Sequence, residues 1–410
     1  MTRTPYIKSF SNGLTLIVEE MPTVKSAAYS LIIPGGIVQD DPSTVGASII
    51  LTELTAKGAG KYNSRELSEA FDNLGARHGE STTSYLSVYG GSLLAENLEE
   101  LLPLVSMMVR TPHLPEGEID NIKNLLMQDI RALKDNPARR VINELSARYY
   151  PSPYNRPSVG DEVGLAKTKL ADLKTNFQKC FSPKQSILSI AGNVKATEVT
   201  SLVESLFGDW SGPSVEMPTL AEFPTRHMHH IQQDAAQLQI ALAYPSVKFG
   251  DTHYYASRIG ADVLSGGMFG RLFIEVREKR GLCYTVYLST SSTALSGVTL
   301  AYAGTTPERA QETLDVMLKE LHSVKGSVTE DELKRSKANI KASLVMAEES
   351  SSSRAGSNAT DWWWLKRIRT LDEIQDGIQK VGLTELDNYF SAYPCDNPMV
   401  VTLGAKKLAV

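Results

Sequence analysis

The stretch GASIILTELTAKG, running from Gly46 to Gly58, decides the fold of this chain. Across residues 45–57 the apolar positions recur at helical spacing, and Lys57-Gly58 closes the segment with a cation and a glycine, as helix ends prefer. Upstream, Asn12-Gly13-Leu14 opens one strand and Pro34-Gly35-Gly36 follows a second, so residues 13–20 and 26–33 lead as a strand pair into the helix.

The pattern continues outward and then repeats. A second helical spacing covers 64–74. Strand-like runs fill Ser81 to Leu94 with a break at Gly90-Gly91, and long amphipathic patterns occupy 96–110 and 116–149. A strand at 186–191 and a helix at 197–207 finish the first half. Asp209 to Pro224, with Gly212, Pro213, Pro218 and Pro224 among polar residues, reads as a linker. After it the order begins again. Strands are expected at 238–244, 283–291 and 297–304, and helices at 252–265, 270–279, 308–323 and 330–349. The fold class is therefore α+β, with two homologous sandwich halves of mostly antiparallel sheet covered by helices. Their expected extents are 1–208 and 225–410 around a linker at 209–224, an arrangement that can close like a clamshell.

Composition agrees without selecting a function. The 410 residues carry a net charge of -5, with no basic excess for nucleic acid. No run approaches the roughly 18 apolar residues of a membrane span, and MTRTPYIKSF has no apolar signal core. A cytoplasmic location is expected on that ground, or a periplasmic one if a leader has been removed. Cys180, Cys283 and Cys395 are odd in number and widely spaced, and read as buried thiols of a reducing compartment.

Several ordered blocks carry a resemblance. They include Gln128-Asp129-Ile130 with Asp135-Asn136-Pro137, the segment Ser152 to Pro157, and the strand Leu188 to Val194. The most specific is GGMFGRLFIEVREKRGLCYTVY, Gly266 to Tyr287. With the helix at 46–58 these blocks make the chain resemble the pitrilysin and mitochondrial processing peptidase family, in its shorter bacterial form, over essentially its whole length. That family binds zinc through an inverted H-x-x-E-H helix, whose two His face one metal while the Glu deprotonates the bound water. In this chain the resemblance places Ile49, Thr52 and Glu53 at those positions. Asp129 falls where the third ligand, a Glu, is expected, and Ile122 where the acidic residue supporting it is expected. An isoleucine offers no lone pair and a threonine is no general base near neutral pH, so zinc hydrolysis cannot be built on this helix.

Arg277 and Tyr284, at a seven-residue spacing, match the family's pair that reaches from the second half toward the zinc site and holds the substrate backbone. A phenol keeps its proton at neutral pH and can donate to a carbonyl or oxyanion, while a guanidinium offers forked donors and a fixed charge. Cys283 and Thr285 are expected on the face opposite Tyr284. The resemblance thus implies a non-catalytic subunit with no cofactor of its own, inactive alone. It would give Arg277 and Tyr284 in trans to a zinc-bearing partner with an intact H-x-x-E-H helix, acting on extended peptides. A structural scaffold and a peptide-sequestering homodimer are the alternatives, and in those a helix-end cation and a strand aromatic account for the pair.

Four further features have a plain and a functional reading. Glu53 and Asp129 are acids solvated or paired with Lys and Arg, or else a carboxylate pair for a hard cation. His227-Met228-His229-His230 reads as a strand entering the second half, with metal binding as the lesser alternative. Glu348 to Asn358, EESSSSRAGSN, reads as a helix-to-helix loop before Trp362-Trp363-Trp364, of which at least two anchor the core, or as a mobile flap with an exposed Trp at an interface. Gly35-Gly36 is a plain turn or a site of close backbone approach near a peptide-pairing edge strand.

Overall fold

A computed structural model describes residues 4–409. Its elements run in chain order as β1 (Tyr6–Ser9), β2 (Thr15–Glu20), β3 (Ser26–Pro34), α1 (Ala47–Thr55), β4 (Gly58–Ala59), β5 (Tyr62–Asn63), α2 (Ser64–Asn73), β6 (Arg77–Thr82), β7 (Leu86–Leu94), α3 (Leu98–Arg110), α4 (Glu116–Asp135), α5 (Pro137–Tyr149), α6 (Glu162–Lys167), α7 (Leu170–Cys180), β8 (Ile187–Gly192) and α8 (Ala196–Phe207). Residues 210–227 carry neither helix nor strand. There follow β9 (Met228–Gln232), β10 (Leu238–Ser246), α9 (Tyr254–Ser265), β11 (Cys283–Ser292), β12 (Gly297–Thr305), α10 (Ala310–Ser323), α11 (Glu330–Glu348), α12 (Ser351–Leu365), α13 (Leu371–Lys380), α14 (Leu383–Ala392) and β13 (Met399–Gly404).

These elements form two compact units. One takes the chain up to Arg131, Arg156–Thr219 and Met346–Thr370; the other takes Ala132–Asn155, Leu220–Val345 and the chain from Leu371 onward. The main sheet of the first unit has the order β1-β2-β8-β3-β7-β6, and that of the second β11-β12-β10-β13-β9. In the first, β2 and β8 are parallel and every other pair antiparallel. In the second, β9 and β13 are the parallel pair. Setting β1 aside, the arrays match strand for strand: β2-β8-β3-β7-β6 against β9-β13-β10-β12-β11. The two halves are repeats of one fold.

Helices cover both faces of each sheet, so the central strands β3, β8, β10 and β13 are buried almost from end to end. In the first unit Leu16, Leu31 and Ile190 join the core beneath α1, α3 and α8, while Ile17, Ile32 and Ile187 turn the other way against α12. In the second unit Ile240 and Leu242 face one core, and Ala241 and Ala243 meet α5 on the opposite face. Each unit thus receives its second-face helix from a distant part of the chain.

Four local departures from the sequence reading have physical causes. The pattern at 116–149 divides at Asn136-Pro137, because proline occupies the first turn of α5 and Asn136 caps it with a bond from the Arg139 N–H. Gly90-Gly91 does not break the strand; β7 runs through it. A Cβ at Gly91 would lie 2.7 Å from a carbon of the Tyr29 ring, so the glycine makes room for that ring while the turn sits at 83–85. Residues 273–278 form a π-helix in place of an α-helix. Most of Glu348 to Asn358 is also helical rather than loop: Ser350 caps α12, and Ala355 and Ala359 let its backbone approach the sheet closely.

Gly35-Gly36 is a close approach, made to the β6–β7 turn. Both N–H groups donate to the Tyr85 carbonyl, and a Cβ at Gly36 would stand 2.4 Å from the Thr83 oxygen. Among the described residues no helix is long and apolar enough to cross a membrane.

Candidate functional site

The first candidate region is α1. Asp40, buried, starts this helix by accepting from the N–H groups of Gly46 at 2.7 Å and Ser48 at 2.9 Å and from the Ser48 hydroxyl at 3.2 Å. Burial pushes its carboxyl up to about 6, against the opposing pull of those donors and of Arg156. Ile49 is 8% exposed and belongs to the core. Thr52, 1% exposed, shares hydrogen bonds with Ser87 Oγ at 2.9 Å and Thr82 Oγ1 at 3.0 Å. One turn on, Thr55 Oγ1 donates to the Thr52 carbonyl at 2.7 Å and lies 2.9 Å from the Tyr89 phenol oxygen. Hydroxyls therefore knit the helix to β6 and β7 where the resemblance would put the general base.

Glu53 is half-buried, and burial raises its carboxyl, with Lys57 opposing and Asp129 adding to the rise. Glu80, on β6, is raised in the same way: burial dominates, Lys57 opposes and Glu53 adds. Of the two sequence-chosen acids, Asp129 thus lies close enough to bear on Glu53, as does Lys57. The sequence pattern opens the strand only at Ser81, one residue after Glu80, so it does not single Glu80 out. Asp129 itself is exposed on α4, and Ile122 is buried. Among the described residues no three His, Cys, Asp or Glu side chains gather as a metal-ligand set.

The second place joins the π-helix to β11. The Lys279 N–H reaches back to the Ile274 carbonyl at 2.9 Å, the five-residue step of a π turn, and Arg277 leaves this turn exposed with its guanidinium 4.9 Å from the Phe273 ring centre. Glu275, on the same turn, is occupied by Lys279 at 2.6 Å and Arg280 at 2.7 Å, which hold its carboxyl below the usual range. Gly281 then takes φ +60°, the left-handed conformation that glycine accepts without strain.

In β11, Cys283 pairs with Thr305 and Thr285 with Gly304, so Tyr284 is the extra residue of a β-bulge. The expected alternation fails here for that reason. Cys283 is buried, but Tyr284 and Thr285 are both exposed, and Tyr284 keeps 68% of its surface open. Bulges re-aim side chains. Arg277, near the end of the π-helix, and Tyr284, at the start of β11, are both exposed.

The remaining features take their plain readings. His229 Nε2 lies 2.9 Å from Arg148 Nη2, His230 is bonded to Thr402 and Gln232, and β9 is the strand entering the second sheet. Trp363 is buried, with Trp362 and Trp364 packed against the same cluster. The three cysteines are free and buried.

Residues 15–162 match the family model described as insulinase, peptidase family M16, and residues 167–340 match that of the peptidase M16 inactive domain. The chain belongs to peptidase family M16. It is similar to an uncharacterized zinc protease, YmxG, of Bacillus subtilis (strain 168), 28% identical over 380 residues that make up 92% of each chain. An uncharacterized zinc protease of Rickettsia felis is 26% identical over 388 residues, 93% of each chain. The M16 fold is matched by a crystal structure titled peptidase M16 inactive domain from Pseudomonas fluorescens, at a TM-score of 0.86 and 21% identity, covering 99% of both chains. A protease from Helicobacter pylori superposes with a TM-score of 0.89 at 20% identity, over 98% of this chain and 100% of that one. The match to the M16 inactive-domain model and to the M16 inactive-domain structure supports a non-catalytic M16 member.

Proposed function

We propose that this chain is the non-catalytic subunit of a heterodimeric zinc peptidase and that it gives Arg277 and Tyr284 to a catalytic partner carrying an intact H-x-x-E-H helix and the zinc. The substrates are extended peptides. The partner's H-x-x-E-H helix would hold the zinc, which would supply an activated water for peptide hydrolysis, a reaction in which negative charge gathers on the carbonyl oxygen. The Tyr284 phenol donates a hydrogen bond to that oxygen, and the Arg277 guanidinium holds a neighbouring backbone carbonyl with its forked N–H groups.

One observation supports this reading above the rest. Ile49 and Thr52 have been absorbed into the interior and Glu53 is half-buried, whereas Tyr284 stands open on a bulge. A strand aromatic serving only the scaffold would be packed, and this one is not.

The test is reconstitution with an M16 chain bearing the intact motif. Tyr284→Phe should lower the rate of peptide cleavage by roughly 10² to 10³, the usual effect of removing one donor aimed at developing charge. A full rate from that variant, or metal-dependent cleavage by the chain alone, would refute the proposal.

A further inference from the structure

Just before the bulge, Gly281 and Leu282 have every backbone polar group bound. Their N–H groups point back toward Arg277: Gly281 N–H donates to the Arg277 carbonyl at 2.8 Å, and Leu282 N–H to the Val276 carbonyl at 2.9 Å. Their carbonyls face the other way, to side chains where β12 meets α10. Arg309 Nη1 donates to the Gly281 oxygen at 2.5 Å, and Thr305 Oγ1 to the Leu282 oxygen at 2.5 Å. Thr305 and Thr313 are both fully buried, and Thr313 Oγ1 lies 3.2 Å from Thr305 Oγ1. Thr305 is also the strand partner of Cys283, the residue just before the bulged Tyr284.

We infer that Thr305 is a positioning residue: through the Leu282 carbonyl it fixes the bulge and so the direction in which Tyr284 leaves the sheet, with Arg309 holding the Gly281 carbonyl in support. The inference rests on the functional reading above for its purpose, although its geometry is independent of it. An exposed tyrosine on a free strand end would sample several orientations. A hydrogen-bond donor for catalysis has to be held within a fraction of an ångström and a few tens of degrees of its target. A carbonyl pinned by a buried hydroxyl, one residue before the strand begins, meets that need at the backbone. It leaves the phenol itself unobstructed.

The full chain carrying 3-fluorotyrosine allows a direct test without any partner. The fluorine resonance of residue 284 is assigned by its loss in Tyr284→Phe. Thr305→Val keeps the branched shape and removes the hydroxyl. It should shift and broaden the 284 resonance while leaving that of Tyr149 in place, and Thr305→Ser should restore the wild-type signal. If Thr305→Val does not fold, Arg309→Met, at an exposed position, should produce a smaller shift of the same resonance. An unmoved 284 resonance in a folded Thr305→Val chain, or in Arg309→Met when that is the variant at hand, overturns the inference.

With a zinc-bearing partner, Thr305→Val should lower kcat roughly tenfold with little change in KM. In a Tyr284→Phe background it should cost nothing further, and an undiminished second loss there also overturns the inference. The two readings fail separately. A full rate in Tyr284→Phe removes the proposed function even if the resonance answers to Thr305, and an unmoved resonance removes the positioning role whatever the rate.

Discussion

Strands β6 and β11 hold the same place, each at the outer edge of one of two matching five-strand arrays, yet they treat their side chains differently. β6 pairs with β7 in unbroken register, and its Thr82 hydroxyl is drawn under α1 to Thr52. β11 breaks register at its second residue and turns Tyr284 outward. On α1 the apolar Ile49 is buried and the hydroxyls of Thr52 and Thr55 are satisfied within the core. Packing alone gives no such reason to hold a tyrosine open on an irregular backbone.

The largest effect that would sharpen this contrast concerns how firmly the first unit is closed from its other face. There Glu19, 1% exposed, meets the Arg354 Nε at 2.9 and 3.0 Å, and Asn358 Nδ2 adds a bond at 2.7 Å. Arg354→Ala strands a buried carboxylate and should destabilise the unit by about 3–5 kcal/mol. Tryptophan emission during urea unfolding would report it, since three of the four tryptophans lie on α12. A midpoint that does not move would mean that α12 is held by apolar packing alone.

Next in size is a pH effect at the start of α1. The Asp40 carboxyl is raised from 3.8 to about 6 in the folded chain, so between those values the folded state binds the proton that the unfolded state has released. Its contribution is fully present below about 4 and is lost as pH rises through about 6, by up to about 3 kcal/mol in total. Stability curves of the wild type and Asp40→Asn should therefore diverge across that window, with the wild type losing more as pH rises. Parallel curves would show that Asp40 is not the group responsible.

Smallest is Thr52→Val, which leaves the hydroxyls of Ser87 and Thr82 short of a partner and should cost about 1–2 kcal/mol. The rate of a reconstituted pair should not change with it. A drop in rate larger than the drop in folded protein would give α1 a part in the chemistry and blur the contrast with β11.

Much of this was legible in the residues. Apolar runs such as Leu188 to Ala191 and Leu238 to Tyr244 mark strands buried on both faces, and the repeat of strand and helix order announces two similar halves. What escaped was helix whose burial depends on small or charged residues. Between Ser351 and Asn358, α12 offers only alanine as an apolar residue, so its spacing looks like a loop until the sheet beneath it is seen. The passage of α5 and α12 to the far faces of the two sheets leaves no local trace either, because amphipathic spacing shows that a face is buried and not against what.

At the candidate site, Arg277 and Tyr284 were visible as a spacing, but the backbone that presents them was not. A bulge is a mismatch between two strands, here Cys283 to Thr285 against Thr305 to Gly304, and one strand's sequence cannot record it. Lys57 and Glu80 were missed because their roles arise from a helix lying beside a strand. They complete a charge cluster that the sequence reading had reduced to Glu53 and Asp129.

The most direct measurement is the rate of peptide cleavage by this chain combined with an M16 partner whose zinc motif is intact, taken for the wild type, Tyr284→Phe and Thr52→Val in parallel. A fall of roughly 10² to 10³ for Tyr284→Phe beside an unchanged rate for Thr52→Val is the expected result. Equal rates for the wild type and Tyr284→Phe would contradict the division of labour between the sealed helix and the open bulge.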